Sequence, residues 1–255
     1  MKKYYLIVNT IVLGLLAAGC LTNSNSSGSD TFYGPSKQLG NGSIRTFVTL
    51  SEDGIPVSIG YSFTKGMLSA LPQDIENRKN VFLEYPKEAK LTGYKYAELG
   101  WNPHGHEPED IYGIPHFDFH FYIVGEDKVS EVVPGPDTVK VSQQYIPEDY
   151  ASGQIAIPDM GVHWHDSRAP EWNGEKFRAT FIYGFYHGNM YFLEPMITNA
   201  FLETRPDTTI PVKQPAAFQK TGYYPTEYSI RYNDKNNIYK VSLDGLTKHE
   251  ANNNE

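Results

Sequence analysis

The sequence is short of cysteine and of positive charge, and both shortages exclude classes of protein. Its 255 residues contain one cysteine, Cys20, which excludes an intrachain disulfide and any site built from paired cysteines. With 22 Lys and Arg against 30 Asp and Glu, the net charge of −8 argues against a nucleic-acid-binding protein, which would carry a basic surface. The sequence also lacks the glycine motifs of nucleotide sites, the GxSxG motif of serine hydrolases and the HExxH zinc motif.

Aromatic and turn-forming residues are plentiful instead, and they indicate an all-β fold. The chain has 19 Tyr, 13 Phe, 22 Gly and 17 Pro, a composition that favours short antiparallel strands in a barrel or a sandwich. Apolar spacing over 63–71 predicts one short helix. Alternating or apolar runs predict strands over 44–50, 56–61, 81–85, 116–124, 176–185, 190–194, 226–232 and 238–243. We expect a single domain over 32–248 and a disordered tail over 249–255.

The N-terminal segment has the pattern of an export signal. Two lysines, an apolar stretch and the small residues before Cys20 resemble the bacterial lipoprotein signal, in which the cysteine is acylated and becomes the new N-terminus. We therefore interpret 1–19 as a signal peptide and 20–31 as a lipidated cysteine with a flexible tether. Leu21 and Thr22 follow the cysteine, and the absence of Asp there favours the outer membrane or the cell surface. An ordinary secretory signal is the alternative.

The histidines are the candidate functional residues of this sequence. Six of the eight lie in two segments, 101–122 and 158–166. Within PHFDFHF, the period of two in a strand puts His116, Asp118 and His120 on one face and three phenylalanines on the other. A row of imidazoles and a carboxylate is costly to enclose unless it is satisfied. A divalent metal satisfies it well, because both side chains are good ligands for Zn, Fe, Mn or Ni.

We expect His116, His120 and His163 to share one enclosed metal site, with His106 and Glu194 as further ligands. His116 and His120 are two same-face steps apart, so they reach one ion only if the strand curves or the side chains lean together. Three further residues are expected to support the ligands: Asp118, His104 and His165. A hydrogen-bonded histidine network without metal is the alternative, and no catalytic residue is identified.

Several segments together resemble a known family. The segments that carry the resemblance are WNPHGHEP, PHFDFHFY, MGVHW, the run from FIYGFYHG through FLEPMIT, and YYPTEYSIRY. Through them the chain resembles a family of uncharacterised extracytoplasmic bacterial proteins, whose structurally known member is controlled by a sigma-E and anti-sigma-E system. The resemblance spans 40–246 and implies a β-rich fold and a symmetric homo-oligomer, but it assigns no activity. His104-Gly105-His106 and the run from Pro158 to His163 also resemble cupin motifs weakly, because their spacings are off.

Two function classes remain open. One is a metal-dependent enzyme that acts on a small molecule in the cell envelope, with Glu194 or Asp118 as general base. The other is a non-catalytic binder of a metal or small ligand, or an oligomeric structural protein of the envelope. An open coordination position beside an apolar pocket favours the enzyme, and a saturated ligand set favours the binder. Either protein would contact the membrane through the lipid on Cys20.

Overall fold

A computed structural model describes residues 1, 29–74 and 80–252 of the chain. The predicted signal peptide and Cys20 lie outside these residues, apart from Met1. Strand β1 begins at Asp30, so the last two residues of the predicted tether are already part of the fold. Within the described ranges, no helix is long and apolar enough to cross a membrane.

Short strands are the main regular structure of the domain. In chain order they are β1 (Asp30–Tyr33), β2 (Lys37–Leu39), β3 (Gly42–Leu50), β4 (Pro56–Thr64), β5 (Val81–Leu83), β6 (Tyr96–Asn102), β7 (His116–Tyr122), β8 (Gly135–Pro136), β9 (Tyr150–Ile157), β10 (Gly161–Asp166), β11 (Ala179–Tyr186), β12 (Asn189–Thr198), β13 (Asp207–Pro211), β14 (Gly222–Tyr224), β15 (Glu227–Asn233), β16 (Ile238–Asp244) and β17 (Thr247–His249). The α-helices are single turns: α1 (Glu109–Tyr112), α2 (Glu126–Val129) and α3 (Asn199–Glu203). Short 3-10 helices span Lys65–Leu68, Lys87–Thr92, Gln143–Tyr145 and Pro170–Asn173.

The strands form two large antiparallel sheets. The first runs β1-β3-β4-β16-β15-β13, with β2 paired to β3, and the second runs β5-β6-β7-β12-β11-β10-β9-β8. A small third sheet pairs β14 with β17. The predicted all-β class is confirmed, and of the two predicted architectures the described strands form a sandwich and no closed barrel.

Aromatic side chains fill the space between the two large sheets. Tyr61 of β4 packs edge-on against Phe119 and Phe121 of β7, with ring centroids 5.1 Å apart in both pairs. Phe63 stacks on Phe119 at 6.1 Å and on Tyr239 of β16 at 5.2 Å. The phenylalanine face of β7 is therefore the face that the sandwich buries, as the alternation predicts.

The helix predicted over 63–71 is wrong for most of its length. Phe63 and Thr64 are the last residues of β4, and only Lys65–Leu68 form a single 3-10 turn. Phe63 pairs with Ile44 on one side and Tyr239 on the other. Phe63, the first apolar residue of the predicted helix, is thus held by neighbouring strands, because tertiary pairing outweighs local spacing.

Four strands of the second sheet were not predicted: β6, β8, β9 and β10. Every residue of β6 is buried, although Ala97, Leu99 and Trp101 alternate with Glu98, Gly100 and Asn102. Strand β10 is interrupted by an irregular register between Val162 and Trp164. Strands β6 and β10 both carry residues of the candidate site described below.

The chain beyond β17 remains in contact with the domain. The Asn252 amide donates to the Phe218 carbonyl at 2.9 Å, and the Ala251 amide donates to Thr221 Oγ1 at 3.0 Å. Residues 249–252, expected to belong to a disordered tail, are therefore hydrogen-bonded to the body of the domain.

A second, smaller core covers the outer face of the eight-stranded sheet. Tyr96, Tyr122 and Phe192 project from the sheet itself, and Tyr112 and Phe177 cover them from connecting segments. The histidine and carboxylate face of β7 lies in this second layer, away from the interface between the two large sheets.

Candidate metal centre

Strand β7 buries polar groups at three successive positions of one face. His116 is 0%, Asp118 1% and His120 1% exposed. His116 and His120 are four residues apart, which is about 13 Å along an extended strand. This distance separates them into two groups of ligand-type side chains, rather than one shared site.

The first group consists of His106, His116 and Asp118, whose ligand-type atoms all lie within 4.8 Å of one another. His116 Nε2 is 3.2 Å from Asp118 Oδ1, and His106 Nε2 is 3.9 Å from Asp118 Oδ2. His106 comes from the loop before α1, and its ring lies edge-on to that of His116 with centroids 4.7 Å apart.

Backbone carbonyls fix the orientation of both rings in the first group. Nδ1 of His116 is 2.7 Å from the Ile114 carbonyl, and Nδ1 of His106 is 2.8 Å from the Glu107 carbonyl. A carbonyl oxygen only accepts, so Nδ1 carries the proton in each ring. In a neutral ring, Nε2 then directs its lone pair toward the Asp118 carboxylate. A carbonyl at the far nitrogen is the usual support of a metal-bound histidine.

Strand β6 shapes the space around Asp118. Its register places Gly100 opposite Asp118 and Asn102 opposite His116. A Cβ atom at Gly100 would lie 3.3 Å from Asp118 Oδ2, so the glycine leaves room for the carboxylate. The Asn102 amide donates to Asp118 Oδ2 at 2.6 Å and holds the carboxylate toward the two imidazoles.

The second group consists of His120, His163 and Glu194, which also lie within 4.8 Å of one another. Glu194 Oε1 is 3.4 Å from His120 Nε2, and Oε2 is 3.1 Å from His163 Nε2. Strand β12 pairs Leu193 with Phe121 of β7, so Glu194 lies opposite His120. The Glu194 side chain is fully buried.

Two glycines allow β10 to bring His163 to this group. Gly184 of β11 pairs with His163, and a Cβ atom there would lie 2.1 Å from the Phe192 ring. Gly161 has a φ of +135°, and a Cβ atom on it would be 2.9 Å from the Phe185 carbonyl. Both glycines therefore allow neighbouring backbone and side chains to approach closely beside His163.

Both groups open onto one cleft of about 530 Å³. His106 and His163 line it side by side, with rings nearly parallel and centroids 6.1 Å apart. Their side chains are 22% and 23% exposed, whereas their partners lie buried behind them. The remaining walls are largely apolar and include Tyr112, Ile155, Ile157, Trp172, Ile182 and Met196.

Neighbouring charges and burial shift the pKa values of the first group in opposite directions. Burial lowers the pKa of His106, and the Asp118 charge offsets this only in part. Burial also acts to lower the pKa of His116, but Asp118 and the Ile114 carbonyl outweigh it and raise that pKa. The pKa of Asp118 falls because the neighbouring imidazoles, His116 above all, overcome its own burial. Asp118 is therefore ionised at neutral pH.

All five predicted ligands take part in these two groups: His106, His116, His120, His163 and Glu194. Asp118, expected to support ligands from behind, lies among the ligand-type atoms themselves. His165 stacks on Trp172 at 4.0 Å in the cleft wall and belongs to neither group. His104 is exposed and also belongs to neither.

Sequence reasoning missed Gly100, Asn102 and Glu98, which all come from β6. Glu98 pairs with His120 and is 3% exposed. The period of two over 98–102 would have placed these residues on one face, had this fully buried segment been recognised as a strand.

No protein-family model matches the chain, and neither a curated protein nor a solved structure matches it. Function must therefore be argued from the chemistry of the two groups and the cleft.

Proposed function

We propose that this protein is a divalent-metal-binding lipoprotein of the bacterial cell envelope, with an ion held by His106, His116 and Asp118 beneath the cleft. The ligand set is two imidazoles and one carboxylate, which suits Zn, Fe, Mn or Ni. Such an ion would supply positive charge, and an open side toward the cleft would let it polarise a bound small molecule.

The arrangement of lone pairs is the observation that carries the proposal. With both Nδ1 atoms donating to carbonyls, the Nε2 lone pairs of the two rings in their neutral form and the ionised carboxylate face one another in a buried space. Such groups repel unless a cation lies between them. A proton on His116 would relieve one contact, but a metal ion would satisfy all three side chains at once.

The distances support the same conclusion. Ligand atoms at about 2.1 Å from a metal lie roughly 3.0 to 3.4 Å apart in octahedral or tetrahedral geometry. The distance of 3.2 Å between His116 Nε2 and Asp118 Oδ1 falls in this range. The distance of 3.9 Å between His106 Nε2 and Asp118 Oδ2 is longer, and a small movement of the His106 ring would bring it into the range. His106 lies on a loop at the cleft, where such a movement is easiest.

The anchoring part of the proposal rests on the sequence. Cys20 is the single cysteine, and it follows small residues at the end of an apolar stretch that is preceded by two lysines. Lipid on Cys20 would hold the domain outside the cytoplasm, at the outer membrane or the cell surface, through the tether that precedes β1.

The test is the metal content of untagged protein lacking residues 1–20, dialysed against Zn(II) at pH 7.5. We expect wild type to retain bound zinc and His116→Ala to lose the ion of this group. His165→Ala is the matched control, because His165 lies in the same cleft wall without belonging to either group. Wild type without zinc, or His116→Ala with undiminished zinc, would refute the proposal.

A further inference from the structure

The second group has the composition of the first and lies beside it. It again offers two imidazoles and one carboxylate, with Glu194 between His120 and His163. The two distances, 3.4 and 3.1 Å, both fit the spacing of about 3.0 to 3.4 Å expected around one ion. Glu194 presents one oxygen to each ring, so its carboxylate is positioned between them.

Buried negative charge also favours cations at the polar face of β7. Glu98, Asp118 and Glu194 are each at most 3% exposed, and register places all three around the polar face of β7. No lysine or arginine is buried among the residues that the structure describes. Three enclosed carboxylates must be neutralised by protons or by metal ions.

The two groups share an entrance. His106 belongs to the first group and His163 to the second, and their rings lie nearly parallel at 6.1 Å in the same cleft wall. Each group thus has two ligand residues buried in the sheet and one at the cleft surface. An ion entering from the cleft can reach either group past a single partly exposed ring.

We infer that the protein holds a second divalent transition-metal ion at His120, His163 and Glu194, so that two ions lie under one cleft. This inference rests on the proposed function and deepens it. Two ions beside an apolar-walled cleft would present two neighbouring positive charges to the same bound molecule.

The experiment compares zinc stoichiometry in wild type, His106→Ala, His163→Ala and the control His165→Ala. We expect two ions per chain in wild type and in the control, and one ion in each of the other two variants. His106 and His163 are the partly exposed members of their groups, so their loss leaves the buried sheet intact. Far-UV circular dichroism and melting in EDTA verify that each variant is folded.

A Co(II) titration followed by visible absorption is the second measurement. The absorbance should rise to an end point at two equivalents in wild type and one equivalent in His163→Ala. One zinc ion in wild type that is lost in His106→Ala and retained in His163→Ala would overturn this inference and leave the proposed function standing. One ion that both variants lose would also overturn it, because the two groups would then share that ion. No bound ion at all would refute both proposals.

Discussion

The variant Asp118→Asn distinguishes a metal site from a hydrogen-bonded network without metal. The new side chain has the same shape, and its oxygen can accept the hydrogen bond that Asn102 now donates at 2.6 Å. Its NH2 group can donate to His116 Nε2, which lies 3.2 Å from the present carboxylate oxygen. Without metal, we therefore expect Asp118→Asn to change the free energy of unfolding by no more than about 1 kcal/mol at pH 8.

With metal present, the same substitution should be costly. Free zinc at 100 times its dissociation constant stabilises a folded protein by about 2.7 kcal/mol per site. In a chain of this size, that corresponds to a shift in Tm of about 5 to 11 °C. Asp118→Asn loses the anionic ligand of the first group, so it should lose this increment.

Differential scanning calorimetry in zinc and in EDTA measures both quantities. Asp149→Asn is the control, since Asp149 forms an ion pair with Lys213 outside both groups. A fall in Tm for Asp118→Asn that is as large in EDTA as in zinc would refute the reasoning, because the carboxylate would then stabilise the fold through protonated histidine alone.

Three further predictions follow from the loop, the ligands and the anchor. Gly105→Ala should weaken zinc binding at the first group more than tenfold in isothermal titration calorimetry, because it would distort the loop that carries His106. Gly105 has a φ of +74°, and a Cβ atom there would lie 2.0 Å from the Tyr112 carbonyl. Unchanged zinc affinity would show that the conformation of this loop is not needed for binding. Zinc affinity should fall as the pH drops through about 6.5, because protonated imidazole cannot bind metal. His116, whose pKa is raised, should take up its proton at higher pH than His106, whose pKa is lowered. A zinc affinity that does not change between pH 8 and pH 5 would contradict histidine ligation. Cys20→Ser should move the protein from the membrane fraction to the soluble fraction of cells, and unchanged fractionation would rule out lipid anchoring.

The period of two along a strand reliably predicts which face of the sheet each side chain takes. Side chains alternate along any extended segment whatever packs on it, so PHFDFHF alone is enough to assign Phe119 to the core and Asp118 to the opposite face. Local pattern is less informative for two other segments. Strand β6 alternates over 97–102 but is buried on both faces, and Phe63 lies in a strand because neighbouring strands hold it.

The division of the ligands into two groups could not be predicted from one chain segment. It depends on register between strands distant in sequence: the pairing of Leu193 with Phe121 puts Glu194 opposite His120, and the pairing of Gly100 with Asp118 leaves room for that carboxylate. A shift of one residue in either pairing would turn the partner side chain to the other face. Spacing along β7 does show that His116 and His120 are too far apart for one ion unless the strand curves, and the strand keeps them in separate groups.

An anomalous difference map from crystals grown with Zn(II), recorded above and below the zinc edge, shows directly whether the first group holds an ion. We expect a peak about 2.0 to 2.2 Å from His116 Nε2, from His106 Nε2 and from one oxygen of Asp118. The peak should vanish below the edge. A map with no anomalous peak among these three side chains, in crystals whose zinc concentration saturates binding in solution, would refute metal binding by this group.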